Sequence, residues 1–458
     1  MKIYESYEDL PKLKLPYGNE VYISDSTIRD GSQMPGIVLS REHKLQIYEY
    51  LHEIGIEKLE AFVFNKRDRD AVDLMFDRGY EFPEITGWAR ASRADIDKIL
   101  EVDGIKETGI LMSVSDTHIF SKMKLSGRKE AEEKYLDALQ YAVDHGLHTR
   151  AHLEDMTRAD NYGFVFPLVE KIMEIDPDCI IRVCDTVGYG MPFMDIEEPY
   201  GIPKIVQHLK KEIGVKNIET HIHDDYGFGS ASSIAGFWHG ANWTSVTFLG
   251  IGERAGNSEM EKILLFLADR VEGFDRYNLE PVNRFARFME KELGLRVPRN
   301  KAVVGKNIFA HESGIHAAGV LKNPFNYEPY PPELVGGKRF LLIGDSSGLE
   351  VIRYKVQETL NDLLDVEAIV EKDDNRLLKI QKEIQKLYDK EERVSCISDE
   401  ELLAYVEKYF LYQPICNPTY TGRGKLKNRG KIVEEEEENK EVRVEQVREG
   451  KNEDRWGD

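Results

Sequence analysis

In the stretch IETHIHDDYG, residues 218–227, two histidines are separated by a single residue. Alternate side chains of an extended segment share a face, so Glu219, His221, His223 and Asp225 stand on one side. Imidazoles at i and i+2 reach one ion, and a first-row divalent metal suits them. A pair of polar histidines satisfied by hydrogen bonds is the other reading of that spacing. A second cluster, DSTIRDGSQMPG (25–36), alternates Asp25, Thr27 and Arg29, with Asp30 opening a turn and Gly31 permitting unusual backbone there. One carboxylate beside two imidazoles makes a three-ligand site with open positions, as a catalytic metal requires. An Arg29–Asp30 ion pair that only closes the end of the fold is an alternative this stretch leaves open.

Other short apolar runs end in the same way. HTRAHLEDMTR (148–158) puts Arg150, His152 and Glu154 on one face, CIIRVCDT (179–186) ends on Thr186, KLEAFVF (58–64) carries Glu60, and EITGWAR (84–90) carries Trp88 and Arg90. A closed, packed layer prefers Val, Ile and Leu, and each unpaired polar group in it costs about 1–3 kcal/mol. Six segment ends converging on polar side chains therefore point to a solvated, functional mouth.

The elements that must position these residues repeat as one unit of strand, turn and amphipathic helix. Eight strands are predicted: 21–28, 58–64, 84–90, 107–114, 148–155, 179–186, 217–225 and 245–252. Segments such as REHKLQIYEYLHEIG and GRKEAEEKYLDALQYAVDHG lie between them as helices. This is the pattern of an α/β (β/α)8 TIM barrel, whose chemistry sits at the C-terminal ends of the strands. A doubly wound sheet is disfavoured, because no strand opens a GxGxxG fingerprint. The expected organisation is an N-terminal extension over 1–20, the barrel over 21–275, mostly helical accessory subdomains covering the active site over 276–415, and a charged tail over 416–458 too poor in apolar residues to order itself.

Composition removes several function classes. A net charge of -21 argues against a nucleic-acid partner. Four cysteines in 458 residues make no disulfide framework, and no CxxC pair suggests structural zinc. The opening residues MKIYESYEDL lack a signal-peptide pattern and no apolar run is long enough to span a bilayer. A cytoplasmic, non-membrane protein is expected.

DSTIRDGSQMPG, HIHDDYGFG, GIGERAGN and HESGIHAAGVLKNPFNYE, in that order between about residues 21 and 350, resemble the DRE-TIM metallolyase superfamily in its acyl-transferring synthase branch. The resemblance implies that Asp30, His221 and His223 bind a divalent metal (Mn, Mg, Co or Zn), with Asn257 as a further ligand or close neighbour. It implies that Arg29 faces an enolate oxygen with Gln33 nearby, and that Glu60, Arg150, Glu154, Thr186 and Glu219 line the 2-oxo acid site. Glu219 is counted with the catalytic group. His316 matches the general base, and Tyr327 a tyrosine that reaches a neighbouring subunit's site, so a homodimer or higher homo-oligomer is expected. The substrates implied are acetyl-CoA and a 2-oxo acid. Two departures stand out: HIHDD has Asp224 where the family usually has Asn, and DGSQ replaces DGEQ. The superfamily's lyases place a cysteine in the glycine-rich loop, and GIGERAGN has none. The sequence after 415 is too short and polar for the regulatory domain of isopropylmalate synthases, so leucine feedback is not expected.

Trp88, Arg90, Arg150 and His152 suit a second carboxylate better than a branched apolar chain. Homocitrate synthases tend to carry a small Ser where this chain has His152, and a bulkier imidazole shortens the pocket. The expected reaction is condensation with oxaloacetate to citrate, that of a Re-type citrate synthase. Homocitrate, isopropylmalate or citramalate synthesis and, further off, a carbon–carbon lyase or a non-catalytic metal-binding scaffold are the alternatives.

Overall fold

A computed structural model describes residues 4–365, 367–391 and 393–411; the charged tail expected over 416–458 lies outside the described residues. Eight strands, β1 (Tyr22–Asp25), β2 (Lys58–Ala61), β3 (Glu84–Arg90), β4 (Glu107–Ser113), β5 (His148–Glu154), β6 (Ile180–Asp185), β7 (Asn217–Ile222) and β8 (Trp243–Val246), form a closed parallel barrel in sequence order. The ring closes where Ser24 pairs with Ser245 and Asp25 with Val246. The fold is a (β/α)8 barrel, as the repeat predicts.

Around it run α1 (Arg41–Ile54), α2 (Lys66–Phe76), α3 (Arg93–Leu100), α4 (Arg128–Asp144), α5 (Phe166–Ile175), α6 (Ile202–His208), α7 (Gly229–Trp238) and α8 (Met260–Leu265). Side chains that accept from the first-turn backbone N–H groups start several of them: Ser40 for α1, Asn65 for α2 and Ser92 for α3. Strand alternation sorts the residues. Thr220 faces α7 so closely that a Cβ on Gly236 would stand 2.4 Å from it, and Gly87 likewise abuts Ile99 of α3. The other parity, including Glu60, Thr86, His152, Arg182, Glu219 and His221, turns inward and is buried.

Four predicted strands end early, the seventh of them at Ile222. The first stops at Asp25, the second at Ala61 and the eighth at Val246. After β8, Leu249 adopts φ 59° and Gly250, Gly252 and Gly256 all have positive φ, so GIGERAGN is a folded turn and no part of the strand.

Beyond the barrel, α9 (Pro281–Leu293) packs on α1, with Phe285 stacked between Phe248 and Tyr50 at ring-centroid distances of 3.7 and 4.7 Å. Next come β9 (Ala310–His311), α10 (Gly314–Lys322) and β10 (Phe340–Leu341), which pairs parallel with β9. The last helices are α11 (Leu349–Leu364), α12 (Asn375–Tyr388) and α13 (Asp399–Val406). Val351, Val356, Leu377, Ile380, Leu402 and Val406 form a second apolar core there, separate from that of the barrel. Among the described residues no helix is long and apolar enough to cross a membrane.

Candidate active site

The end of β1 is built by local hydrogen bonds. Asp25 accepts from Thr27 N–H at 2.9 Å and from the Thr27 hydroxyl at 2.6 Å, so this carboxylate shapes the turn. Asp30 N–H donates to the Ser26 carbonyl at 2.8 Å, which turns the Asp30 side chain toward β7. Gly31 passes under the GIGERAGN turn, where a Cβ would lie 2.7 Å from the Ile251 side chain, so a larger residue would have to displace that side chain.

At the end of β7, His221 Nε2 lies 3.1 Å and His223 Nε2 3.9 Å from Asp30 Oδ2. Donor atoms of these three buried residues all fall within 4.8 Å of one another. Ser245 Oγ stands 3.1 Å from His221 Nδ1 and fixes that ring. The turn after β8 closes the fourth side: Asn257 N–H donates to the Gly250 carbonyl at 2.9 Å and Asp224 N–H to the Gly256 carbonyl at 3.0 Å. A Cβ on Gly256 would stand 1.8 Å from the Gly250 carbonyl, so only glycine allows this approach.

The donor set fits a divalent ion. Burial opposes charge on Asp30, but Arg29, His221 and His223 outweigh it and hold the carboxyl below its usual range. Burial pushes His223 down to about 4, leaving the neutral imidazole that a metal takes. Asn257 Oδ1 and His223 Nδ1 are buried with no hydrogen-bond partner among the described residues. An unpaired amide oxygen beside a carboxylate and two imidazoles is a ligand set for a borderline first-row metal.

These residues open on a cavity of about 350 Å³ at the C-terminal ends of the strands. Arg29, Asp30, Gln33, His152, Glu154, Thr186, His221 and His223 all line it, together with Trp88, Lys122, Arg182 and Arg254. A larger cavity, about 740 Å³, lies at the opposite end among the starts of β2 to β8, remote from every donor described above. Thr186 Oγ1 accepts from Asp155 N–H at 2.8 Å, which leaves its hydroxyl hydrogen to donate elsewhere. Burial raises Glu154, but hydrogen bonds from His118, Lys122 and Ser113 prevail and hold its carboxyl at about 2. His152 is fully buried, and burial together with Arg182, Arg29 and Arg150 pushes it well below its ordinary value, so the ring is neutral.

Below the cavity, buried charges alternate down the barrel. Arg29 Nε meets Glu60 at 2.5 Å, and Arg182 Nη1 meets the other Glu60 oxygen at 2.9 Å. Arg182 Nε and Arg150 Nη1 share Glu219 at 2.5 and 3.0 Å, and Arg150 Nη2 reaches Glu107 at 2.9 Å. Lys58 pairs with the same Glu107.

Four residues expected at the mouth lie outside the lining of this cavity, and two more sit on the accessory region. Arg150 and Glu219 do not line the cavity; they lie one layer deeper, paired with each other and with Glu107 and Arg182 respectively. Glu60 supports Arg29 from beneath. Arg90 turns away from the mouth and pairs with Asp95 of α3 at 2.7 Å, its side chain 69% exposed. The strand ends at Arg90, and the nearby carboxylate captures it. His316 and Tyr327 pack on each other, ring centroids 4.5 Å apart, exposed on the accessory region and away from this chain's own cavity.

Three cavity cations escaped the sequence reading. Arg182 shares its face with Cys184 and Thr186, so alternation along β6 gave a usable signal. Arg254 lies within GERAGN, a stretch singled out for its asparagine; its guanidinium meets Asp225 at 2.9 Å and the Thr186 carbonyl at 2.6 Å. Lys122 comes from a helical turn after β4, and no periodicity marks it.

Residues 20–284 match the HMGL-like family, and residues 303–392 match the homocitrate synthase post-HMGL domain-like family. The chain is 37% identical over 422 residues to the citrate (Re)-synthase of Clostridium kluyveri, covering 88% of this chain and 92% of that protein. It is 35% identical over 349 residues to the homocitrate synthase AksA of Methanothermobacter thermautotrophicus, covering 75% and 85%. The chain belongs to the DRE-TIM metallolyases, in their acyl-CoA/2-oxo acid synthase branch. The barrel of this DRE-TIM synthase also matches the solved hydroxymethylglutaryl-CoA lyase of Pseudomonas aeruginosa, with a TM-score of 0.51 at 17% identity over 61% of this chain and 94% of that one, a likeness of fold. As a member of the synthase branch, the protein is an enzyme of the 2-oxo acid synthase type.

Proposed function

We propose that this enzyme condenses acetyl-CoA with oxaloacetate and water to give citrate and CoA. The observation that carries the choice of acid is the floor of the cavity. His152 stands there beside Arg182 while Arg150 lies deeper, outside the lining, so the imidazole closes off the room that a longer acid needs. Gly109 makes space for that ring: a Cβ there would lie 2.3 Å from His152 Nε2. Lining cations Arg29, Lys122, Arg182 and Arg254 suit an acid with two carboxylates. The resemblance over most of both chains to a citrate (Re)-synthase supports the same reading.

A divalent ion held by Asp30, His221 and His223, with Asn257 beside them, supplies Lewis-acid polarisation of a carbonyl when bound. Thr186 is free to donate its hydroxyl hydrogen to a substrate carboxylate. Arg29, fixed by Glu60, directs its remaining N–H groups at an oxygen that gains negative charge as the acetyl methyl loses a proton. The new bond joins that methyl carbon to the keto carbon of oxaloacetate; hydrolysis of the thioester then breaks the C–S bond and releases CoA. His316, the base in this reading, is exposed and outside the lining of its own cavity, and it acts at the mouth of a second copy.

The homocitrate reading has its own support in the match of residues 303–392. CoA release from acetyl-CoA with oxaloacetate, 2-oxoglutarate, 2-oxoisovalerate and pyruvate separates the readings. The highest kcat/KM is expected with oxaloacetate. Preference for 2-oxoglutarate overturns the citrate assignment, and preference for 2-oxoisovalerate overturns the dicarboxylate argument.

A further inference from the structure

The turn that carries Asn257 begins at a strained residue. Leu249 has φ 59°, a left-handed conformation that a branched L side chain rarely adopts. Both of its backbone polar groups are held from outside the turn. Leu249 N–H donates to Glu261 Oε2 at 3.0 Å, and its carbonyl accepts from Lys301 Nζ at 3.3 Å. Lys301 also meets Glu259 at 2.8 Å and Glu261 at 3.4 Å. Its side chain is only 14% exposed, and that of Glu261 is fully buried. Two carboxylates this close, one without water, need a cation between them. Lys301 is that cation, and it comes from the connector that leads out of the barrel into the accessory region. A small cavity of about 170 Å³ separates the turn from connector residues Leu295 to Pro298, so packing alone does not hold the turn down there.

We propose that Lys301 is a positioning residue for the metal site: its ammonium neutralises Glu259 and Glu261, and the three together pin Leu249 so that the following turn presents Asn257 beside His223. The inference rests on the metal-binding part of the proposed function. The accessory connector and the metal turn are thereby one structural unit, coupled through the Lys301 ammonium.

Equilibrium Mn²⁺ binding to the full-length protein without substrates, read from the free-ion EPR signal, tests it. Removing a partner that orients a metal ligand typically weakens affinity 10–100-fold, so Lys301→Met is expected to bind Mn²⁺ at least about tenfold more weakly. Lys301→Arg is expected to stay within about threefold of the unmodified protein, since the charge is kept. Adding Leu249→Gly to Lys301→Met is expected to recover affinity, because glycine adopts the left-handed conformation without a clamp. Lys301→Gln takes the place of Lys301→Met if the latter is not recovered folded, with the same expectation. Unchanged Mn²⁺ affinity in the charge-removing variant, alongside lost binding in Asp30→Asn, overturns the role of Lys301. Failure of the unmodified protein to bind Mn²⁺, Mg²⁺, Co²⁺ or Zn²⁺ overturns the metal reading itself and the inference with it.

Discussion

The His152 ring stands in the cavity floor against Gly109 of the neighbouring strand, buried and neutral, with Nε2 3.4 Å from Glu60. Shortening this side chain while keeping it polar deepens the cavity toward Arg150. His152→Ser is therefore expected to shift the kcat/KM ratio of 2-oxoglutarate over oxaloacetate upward by about 10–100-fold, the range one methylene commands in a shaped pocket. An unchanged ratio would show that His152 has no part in chain-length selection. Glu154 permits a pH test at the same scale. Its folded value of about 2 lies below the ordinary 4.5, so its ionised form stabilises the fold at pH values above 4.5, and that contribution is lost as pH falls from 4.5 toward 2. Glu154→Gln is expected to cost up to about 3 kcal/mol at pH 7. In urea titrations the gap between variant and parent should close as pH is lowered through that window; a gap independent of pH would mean that Glu154 acts through packing instead of charge.

At the scale of elements, the barrel interior holds Arg29, Glu60, Arg182, Glu219, Arg150, Glu107 and Lys58 in alternating sign, contributed by five different strands and the turn after β1. Glu219 neutralises two arginines at once, both fully buried. Removing one partner of a buried pair strands the other without water, so Glu219→Gln is expected to destabilise the protein by about 3–5 kcal/mol. It should also lower kcat, because Arg182 then competes with Arg29 for Glu60. Arg90→Ala breaks a pair whose arginine is well exposed, and it is expected to cost less than about 1 kcal/mol with kcat/KM unchanged. Denaturant midpoints and steady-state rates of the two variants side by side check both statements. Equal effects would dissolve the distinction between the interior chain of charges and the surface pair.

At the scale of the whole molecule, the cavity and the exposed His316–Tyr327 pair lie apart on the same chain. If a second copy brings His316 to this mouth, each active site needs two chains. Mixing inactive His316→Ala chains with inactive His221→Ala chains is expected to restore up to about a quarter of parental activity, since half of the dimers are hybrids with one intact site each. Demonstrated subunit exchange without recovery would mean that each chain completes its own site.

Two periodicities in the sequence carried most of what was legible. The repeat of strand and helix determined the closed barrel, because eight such units have few other ways to bury their strands. The period of two along β5, β6 and β7 determined which side chains turn inward, so His152, Glu154, Thr186, His221 and His223 were readable as neighbours, and Asp30 stood out at the opening of the turn after β1. Depth was not readable. Arg150 and His152 share a face on β5, yet one lies in the floor of the cavity and the other beneath it, and that difference arises from strand stagger and from the glycine at 109 on the adjacent strand. Nor was the direction of a side chain at a strand's last residue, where Arg90 follows Asp95 on the next helix and not the inward parity of its strand. The chain of charges from Lys58 to Arg29 joins residues 29 to 219 across five strands and the turn after β1. No local pattern encodes such a chain, because each link is a contact between elements that only the closed barrel brings side by side.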